Sequence, residues 1–312
     1  MTISDTSPQA APAPPRVVIS GASGLIGDEL ARSLGADGIA VTRLVRHAPR
    51  STDEVEWRPG ETPLDPAVLA GALAVICLNG ASIGKLPWTR RYRETLRESR
   101  LAPTRTIASA IRELGPDAPT LLSASAVGLY GDRPRERLTE RSAPGRTFLA
   151  ELCVAWEDAA LEAGPQARVV LLRTAPLIDR GGVLKPLLLL TRLGISGPLG
   201  GGRQHWPWIS LADEVRAIRH LIDSDVSGPV NLTGPAPATA NDTGRALART
   251  LRRPFVVPAP AWALRLALGS DAADALLLSD AVVTPDVLLG SGFRFTHRTV
   301  EEAVDAALTR DR

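Results

Sequence analysis

Short runs of apolar residues alternate along the first part of the chain with stretches of helical periodicity. The run at residues 16–20 (RVVIS) has prolines before it and a glycine after it, which is typical of a buried parallel strand. Further strands are predicted at residues 39–45, 55–57, 74–78, 120–123 and 168–173. Helices are predicted at residues 28–34, 88–99, 103–114 and 148–163. This alternation of strands and helices predicts an α/β fold with a doubly wound parallel sheet.

The alternation of strands and helices stops after Thr174, where glycine and proline become frequent. The pattern at the end of the chain predicts mostly helices. We expect a small, mostly helical C-terminal lobe, with one return of the chain to the sheet at residues 229–232. The predicted division is a disordered, proline-rich tail at 1–15, a sheet domain at 16–232, of which 175–210 contributes to the substrate lobe, and a C-terminal substrate-side lobe at 233–312. The cleft between the lobes then lies at the carboxyl ends of the strands, where open α/β sheets bind ligands.

Composition and charge exclude several classes of function. The 36 Lys and Arg against 34 Asp and Glu leave a net charge of +2, which does not favour nucleic acid as a partner. Two cysteines, Cys77 and Cys153, cannot form a disulfide framework and fit a reducing compartment. The four histidines are scattered, so no metal site is expected. Because polar residues interrupt the uncharged stretch at 67–84, no membrane span is expected, and we expect a cytoplasmic protein.

One segment, residues 88–100, holds five arginines with two aromatic residues among them. Glu94 and Glu98 lie between the arginines at helical spacing, so we expect intrahelical ion pairs on a solvated face rather than a nucleic-acid patch. In the alternative interpretation, Lys85 or an arginine of this segment reaches an anionic substrate or a cofactor phosphate.

Tryptophans outside the predicted strands have two interpretations. Trp206 and Trp208 follow a glycine-rich loop, and they either line a substrate pocket or pack under the C-terminal lobe. Trp262, like Phe293 and Phe295, is expected in the core of that lobe because no charged cluster accompanies it.

Three glycines follow the first predicted strand directly, in the sequence Gly21-Ala-Ser-Gly24-Leu-Ile-Gly27. Gly21 allows a tight turn, Gly24 lets backbone N–H groups approach a pyrophosphate, and Gly27 permits close packing of helix on strand. The N-terminus of the next helix adds partial positive charge for the phosphates. In a strand–turn–helix at the start of an α/β chain, this spacing indicates a Rossmann-type dinucleotide-binding domain.

The end of the second predicted strand distinguishes between the two nicotinamide dinucleotides. NAD-binding domains place an Asp or Glu there for the ribose 2′-hydroxyl, and residues 42–46 (TRLVR) contain neither. Arg46, alone or together with Arg43, is instead suited to pair with a 2′-phosphate, which favours NADP(H) as the cofactor. A solvated arginine is the alternative.

Several further motifs resemble the extended short-chain dehydrogenase/reductase superfamily. Residues 77–81 (CLNGA) stand where the fourth strand of that family ends beside the adenine ribose, and residues 123–131 (SASAVGLYG) resemble its fifth-strand motif. Residues 200–215 (GGGRQHWPWISLADEV) resemble the stretch before a helix that lines the substrate cleft. Within the superfamily the chain looks closest, over residues 16 to about 308, to an atypical branch. Its members are NAD-dependent epimerase/dehydratase-like epimerase family proteins with a small C-terminal domain of unknown function.

The resemblance implies a catalytic Tyr-x-x-x-Lys pair that this chain lacks. In the superfamily the Lys lowers the pKa of the Tyr, which passes a proton while hydride moves to or from the nicotinamide. The matching helix, residues 148–157 (FLAELCVAWE), has Leu149 at the Tyr position and Cys153 at the Lys position. Cys153 is expected to be a buried helix cysteine, because nothing in the sequence indicates a lowered pKa or an oriented base.

If the protein is an enzyme, other residues must carry the catalytic roles. Ser125 is the leading candidate for polarising a substrate oxygen, with Ser123 as the alternative, although either is equally typical of a serine that ends a strand. Tyr130 is a candidate that acts from the following loop, or else a packing residue. Glu140 and His205 are titratable residues expected near the cleft.

These features together predict an atypical NADP(H)-dependent oxidoreductase that acts on a carbonyl or activated double bond of a small-molecule substrate. Two alternatives remain: an epimerase or isomerase that retains its NADP, and a non-catalytic NADP(H)-binding sensor. The sequence is compatible with a monomer and with a homodimer. The residues expected to bind the cofactor, the last eight by resemblance, are Gly21, Ala22, Ser23, Gly24, Leu25, Ile26, Gly27, Arg43, Arg46, Leu78, Asn79, Gly80, Ala81, Thr174, Ala175, Pro176 and Leu177.

Overall fold

The computed structural model describes residues 14–182 and 184–309, so nearly all of the tail predicted at 1–15 lies outside the described residues. The strands of the described chain are β1 (Arg16–Ser20), β2 (Ala40–Val45), β3 (Glu54–Glu56), β4 (Ala74–Cys77), β5 (Thr120–Ala126), β6 (Arg133–Leu138), β7 (Val169–Thr174), β8 (Leu177–Ile178), β9 (Ile209–Ser210), β10 (Gly228–Leu232) and β11 (Ala281–Val283). Its helices are α1 (Leu25–Ala36), α2 (Arg90–Leu114), α3 (Phe148–Leu161), α4 (Leu184–Arg192), α5 (Leu211–Ile222), α6 (Ala240–Thr250), α7 (Ala261–Leu268), α8 (Ser270–Ala273), α9 (Asp286–Gly290) and α10 (Val300–Thr309). None of these helices is both long and apolar enough to span a bilayer.

Seven of the strands form one parallel sheet in the order β10-β7-β5-β4-β1-β2-β3. The strand order reverses between β1 and β4, so the crevice above their carboxyl ends is the topological switch point where such sheets bind ligands. The predicted doubly wound α/β fold is therefore confirmed, including the return of the chain to the sheet at β10.

The sheet is sandwiched between two apolar layers, as both faces of a parallel sheet must be. One layer packs α1 and α5 against alternate residues of the central strands, with Leu30 and Ile218 fully buried. The other packs α2 and α3 against the opposite faces of the same strands, with Ile107 and Ala160 fully buried. This double coverage explains why β1 and β4 read as continuous apolar runs in the sequence.

A single long helix, α2, replaces the two helices predicted at 88–99 and 103–114. Pro103 lies inside it and removes one backbone donor, a change that often ends a helix. The helix continues because residues on both sides of the proline are buried, Leu101 in a cluster with α3 and Thr104 against Cys77 of β4.

The ion pairs predicted within the arginine-rich segment of α2 are absent among the described residues. Arg93 instead pairs with Asp271 of α8 and lies over the ring of Phe148. Glu94 and Glu98 make no ion pair with any described residue, so this face of α2 is used for tertiary contacts and not for intrahelical pairing.

The C-terminal lobe is mostly helical, as predicted, and is built around a cluster in which α6 packs against α10 and α4. Two short strand pairs, β6–β11 and β8–β9, connect it to the sheet domain. The prediction that Trp262 is core is wrong, because its side chain is 69% exposed on α7. Phe293 is buried as predicted, and Phe295 packs edge-on against it at a centroid distance of 5.0 Å.

Candidate functional site

The glycine loop folds closely against the end of β4. Gly21 has a φ of +79°, and a Cβ atom placed there would lie 2.8 Å from the carbonyl carbon and oxygen of Leu78. A Cβ on Gly27 would lie 2.4 Å from the backbone oxygen of Gly21. Larger residues at either position would therefore force the loop off the sheet, which accounts for both glycines.

The first turn of α1 is open to a ligand. Gly24 caps this helix without a side chain, so no side-chain oxygen accepts a hydrogen bond from the first-turn N–H groups. Ser23, Gly24 and Leu25 are exposed at the carboxyl edge of the sheet. Backbone donors at an uncapped helix N-terminus fit the phosphates of a dinucleotide.

The two arginines at the end of β2 have different environments. Ser20 of β1 pairs with Leu44 of β2, so Arg46 emerges beside the start of the glycine loop. The Arg46 side chain is exposed and makes no hydrogen bond or ion pair with any residue that the structure describes. Arg43, by contrast, donates to Asp53 at 2.6 Å, so a carboxylate already neutralises its charge. Of the two predicted residues, Arg46 is the one available to a phosphate.

The loop after β4 is fixed at both ends. The Leu78 N–H donates to the Ser20 carbonyl at 3.0 Å, which continues the β1–β4 pairing beyond the strands. The Ala81 N–H donates to Ser99 Oγ of α2 at 2.9 Å. Asn79 and Gly80 therefore lie in a loop that is hydrogen-bonded at both ends and lies beside the glycine loop.

A network of buried polar side chains lies behind the ends of β5 and β7. Ser125 Oγ donates to Glu157 Oε1 at 2.7 Å. Arg173 forms a bidentate pair with the same carboxylate, with distances of 2.8 and 2.9 Å. Arg173 also donates to Tyr130 Oη at 3.0 Å, and that hydroxyl donates to Asn231 Oδ1 at 2.6 Å. The network joins α3 to the strands β5, β7 and β10.

This network brings two of the three predicted catalytic residues together and leaves the third apart. Tyr130 is fully buried, and burial raises the pKa of its phenol, which stays protonated between Arg173 and Asn231. Ser123 is also fully buried, and its Oγ has no partner among the described residues. Ser125 is 3% exposed, so it is the least enclosed of the three residues, although its hydroxyl is hydrogen-bonded to Glu157.

Glu157 and Arg173 were missed as site residues by sequence reasoning. Each lies within a largely apolar segment. The register of β5 with β7 places Ser125 opposite Arg173, and the packing of α3 on these two strands brings Glu157 to both. An isolated arginine near the end of a buried strand was the one available signal, because such a charge requires a partner.

Helix α3 confirms the buried position expected for Cys153. Leu149 and Cys153 are 9% and 4% exposed. Burial is the main cause that raises the pKa of the Cys153 thiol to about 12, so the sulfur is a thiol and not a thiolate at neutral pH.

A buried carboxyl group, Glu214 of α5, lies behind the segment predicted to border the nicotinamide. Thr174 Oγ1 donates to Glu214 Oε1 at 2.8 Å, whereas Oε2 has no partner among the described residues. Burial raises the pKa of Glu214 to about 8, so the group is largely protonated at neutral pH.

The other residues considered near the cleft have structural partners. His205 Nδ1 lies 2.9 Å from Asp280 Oδ1, and Glu140 Oε1 accepts from the Asn231 N–H at 3.1 Å. Trp206 and Trp208 donate to backbone carbonyls at 3.1 and 2.9 Å and line a cavity of only about 10 Å³. That space suits one water molecule, so packing under the C-terminal lobe is the better interpretation of these tryptophans.

Lys85 contacts a neighbouring aromatic side chain. Its Nζ lies 5.4 Å from the centroid of the Tyr92 ring. Tyr92 Oη in turn donates to the Ser82 carbonyl at 2.6 Å, which holds the loop between β4 and α2.

No group of three or more His, Cys, Asp or Glu in the described part of the chain is arranged to hold a metal ion.

Comparison with known proteins agrees with this architecture. Residues 17–233 match the NAD dependent epimerase/dehydratase family, and residues 259–307 match a domain of unknown function, DUF1731. An epimerase family protein of Mycobacterium bovis is 41% identical over 297 residues, which cover 94% of this chain and 98% of that protein. A chloroplastic homologue of epimerase family protein SDR39U1 from Arabidopsis thaliana is 30% identical and covers 94% of this chain and 86% of its own length.

Solved structures extend the likeness to the whole fold. The crystal structure of human epimerase family protein SDR39U1 with NADPH superposes with a TM-score of 0.84 at 27% identity, over 94% of this chain and 99% of that chain. A nucleoside-diphosphate sugar epimerase from Corynebacterium glutamicum gives a TM-score of 0.76 at 31% identity, over 95% of this chain and 58% of that chain. The resemblance predicted from the motifs is confirmed, and the chain belongs to the NAD-dependent epimerase/dehydratase family.

Proposed function

We propose that this protein is an NADP(H)-dependent oxidoreductase that reduces a carbonyl or activated double bond of a small molecule. The observation that carries the cofactor preference is Arg46, an exposed arginine beside the glycine loop without a partner among the described residues. An acidic side chain at the end of β2 would repel a 2′-phosphate. The nearby carboxylate of Asp53 is neutralised by its ion pair with Arg43. The NADPH in the human SDR39U1 structure, from a protein 27% identical to this chain, supports the same choice.

The residues present fit such a cofactor. The first turn of α1 would hold the diphosphate through backbone N–H groups, and Arg46 would hold the 2′-phosphate. Residues 78–81 would border the adenine ribose, and residues 174–177 would lie near the nicotinamide. When bound, NADPH would supply the hydride that the reaction requires, and water would supply the proton that the reduced substrate takes up.

Ser125 is the proposed contact to the substrate oxygen. Its hydroxyl group donates to Glu157, which Arg173 holds in place, so Ser125 has a fixed position at the end of β5. Rotation about its χ1 angle would turn the O–H from the carboxylate toward a substrate carbonyl, which the hydrogen bond would polarise. The bidentate pair keeps Glu157 satisfied while Ser125 is turned away.

Replacing Arg46 by alanine is expected to weaken NADPH binding by about 10- to 100-fold, which is the value of a charge-assisted hydrogen bond to phosphate. The affinity for NADH should change by less than about twofold, because NADH has no 2′-phosphate. Fluorescence titration measures both constants. Arg43→Ala is the matched control and should leave both affinities nearly unchanged; a larger loss for Arg43→Ala than for Arg46→Ala would contradict the assignment.

Replacing Ser125 by alanine is expected to lower kcat for NADPH oxidation by about 100-fold, as when one hydrogen-bond donor to a reacting oxygen is removed. The Kd for NADPH should stay within about twofold. Ser123→Ala is the matched control, with turnover retained, since that hydroxyl is fully buried. The measurement is NADPH consumption across a panel of aldehydes, ketones and enones. Bound NADPH that no compound in the panel oxidises would instead favour the retained-cofactor epimerase or the sensor.

A further inference from the structure

Arg100 of α2 is a cation enclosed beside the proposed cofactor site. Its guanidinium donates to the Ala81 carbonyl at 3.0 Å and to the Leu96 carbonyl at 3.0 Å. Its Cζ atom lies 5.1 Å from the centroid of the Trp156 ring on α3. A Cβ atom on Gly80 would lie 3.1 Å from the same Cζ, so the guanidinium packs directly under the loop that follows β4.

The charge of Arg100 is not balanced by a carboxylate. Its hydrogen-bond acceptors are backbone carbonyls and, at 3.5 Å, the hydroxyl of Ser99. No ion pair joins it to any residue within 14–182 or 184–309, in contrast to Arg173, whose buried charge is paired with Glu157. Burial lowers the pKa of Arg100, although a guanidinium remains charged at neutral pH. A partly buried cation without a counter-ion is costly, and a ligand with anionic or polar oxygens would offset that cost.

The location of Arg100 indicates which part of a ligand it would meet. The guanidinium lies over the ring of Trp156, which is three residues after Cys153 on α3. Glu157, the next residue of that helix, accepts a hydrogen bond from Ser125, the proposed contact to the substrate oxygen. The positive charge therefore sits between the loop at residues 79–81 and the part of α3 that carries Cys153 and Glu157.

We propose that Arg100 binds the nicotinamide half of the dinucleotide, through its ribose and phosphate oxygens. Helix α3 has leucine and cysteine at the two positions where the resemblance implies tyrosine and lysine, so it provides no cation of its own. Arg100 supplies that charge from the neighbouring helix α2. This inference rests on the proposed NADP(H) binding and assigns one further residue to the same site.

The test compares two ligands that share the adenine half. NADPH contains the nicotinamide nucleotide, whereas 2′,5′-ADP lacks it but keeps the 2′-phosphate that Arg46 would hold. Arg100→Gln is expected to raise the Kd for NADPH by about tenfold or more and to leave the Kd for 2′,5′-ADP within about twofold of the wild-type value. Arg97→Gln, on the same helix, is the matched control and should change neither constant.

Arg100→Lys guards against a folding defect in the glutamine variant. Lysine keeps the positive charge but has a shorter side chain and no planar guanidinium. NADPH binding should therefore weaken by about threefold or more, while the Kd for 2′,5′-ADP is unchanged. Equal losses for both ligands, or unchanged NADPH affinity in either folded variant, would overturn the assignment of Arg100. Failure of the wild-type protein to bind 2′,5′-ADP and NADPH alike would instead overturn the proposed function, so the two failures are distinguishable.

Discussion

Replacing Arg173 by methionine is expected to lower the free energy of unfolding by about 3–5 kcal/mol, as when one partner of a buried ion pair is removed. The Arg173 and Glu157 side chains are only 9% and 10% exposed, so the carboxylate left behind would remain out of water. Glu157 would keep only its bond from Ser125, and Tyr130 would lose a donor. Urea denaturation followed by circular dichroism measures the loss.

The double variant Glu157→Gln/Arg173→Met is the informative partner to that experiment. Since it removes both charges, it should recover part of the loss seen in Arg173→Met alone. Arg43→Met breaks the exposed pair with Asp53 and should cost no more than about 1 kcal/mol. If Arg173→Met costs as little as Arg43→Met, the buried network does not stabilise the fold in the way described.

The pH dependence of stability is expected to change when Glu214 is replaced by glutamine. The pKa of Glu214 is about 8 in the folded protein, against an ordinary value of 4.5, so between these values the folded state holds a proton that the unfolded state has released. The stabilising contribution is complete below about pH 4.5 and is lost as the pH rises toward 8. The loss amounts to about 1.4 kcal/mol per pH unit, or roughly 5 kcal/mol in all. Glutamine has no such titration and can still accept from Thr174.

The measurement is the difference in unfolding free energy between Glu214→Gln and the wild type at pH 5 and at pH 8. As the pH rises, the variant should become more stable relative to the wild type by several kcal/mol. Glu94→Gln, at an exposed site on α2, is the matched control for the loss of a surface carboxylate and is measured at the same two pH values. A constant difference for Glu214→Gln would mean that Glu214 is ionised in the folded protein at pH 5.

Much of the fold follows from the sequence because its strands are buried on both faces. The apolar runs that became β1, β4 and β7 have few other stable environments, and the glycine spacing fixed the turn after β1. Strand β6 had no such signal: RPRERL carries no apolar alternation, and its pairing with β11 depends on the C-terminal lobe. Helix α2 was divided in the prediction because proline propensity is local, whereas burial around Pro103 is a property of the folded chain.

The candidate site was predicted in part. Local spacing was enough to find the glycine loop, and the absence of an acid at the end of β2 pointed to Arg43 and Arg46 together. Only the register of β2 with β3, which brings Asp53 to Arg43, distinguishes between the two arginines. Arg100 was included only in the alternative interpretation of residues 88–100, and Arg173 was not assigned a role, because their environments are formed by segments far apart in sequence.

The most direct test of the proposed cofactor site is the pair of dissociation constants of the wild-type protein for NADPH and NADH, measured in the same buffer by quenching of tryptophan fluorescence. We expect NADPH to bind at least about tenfold more tightly, because only NADPH offers a phosphate to Arg46. Equal affinities, or tighter binding of NADH, would contradict the account.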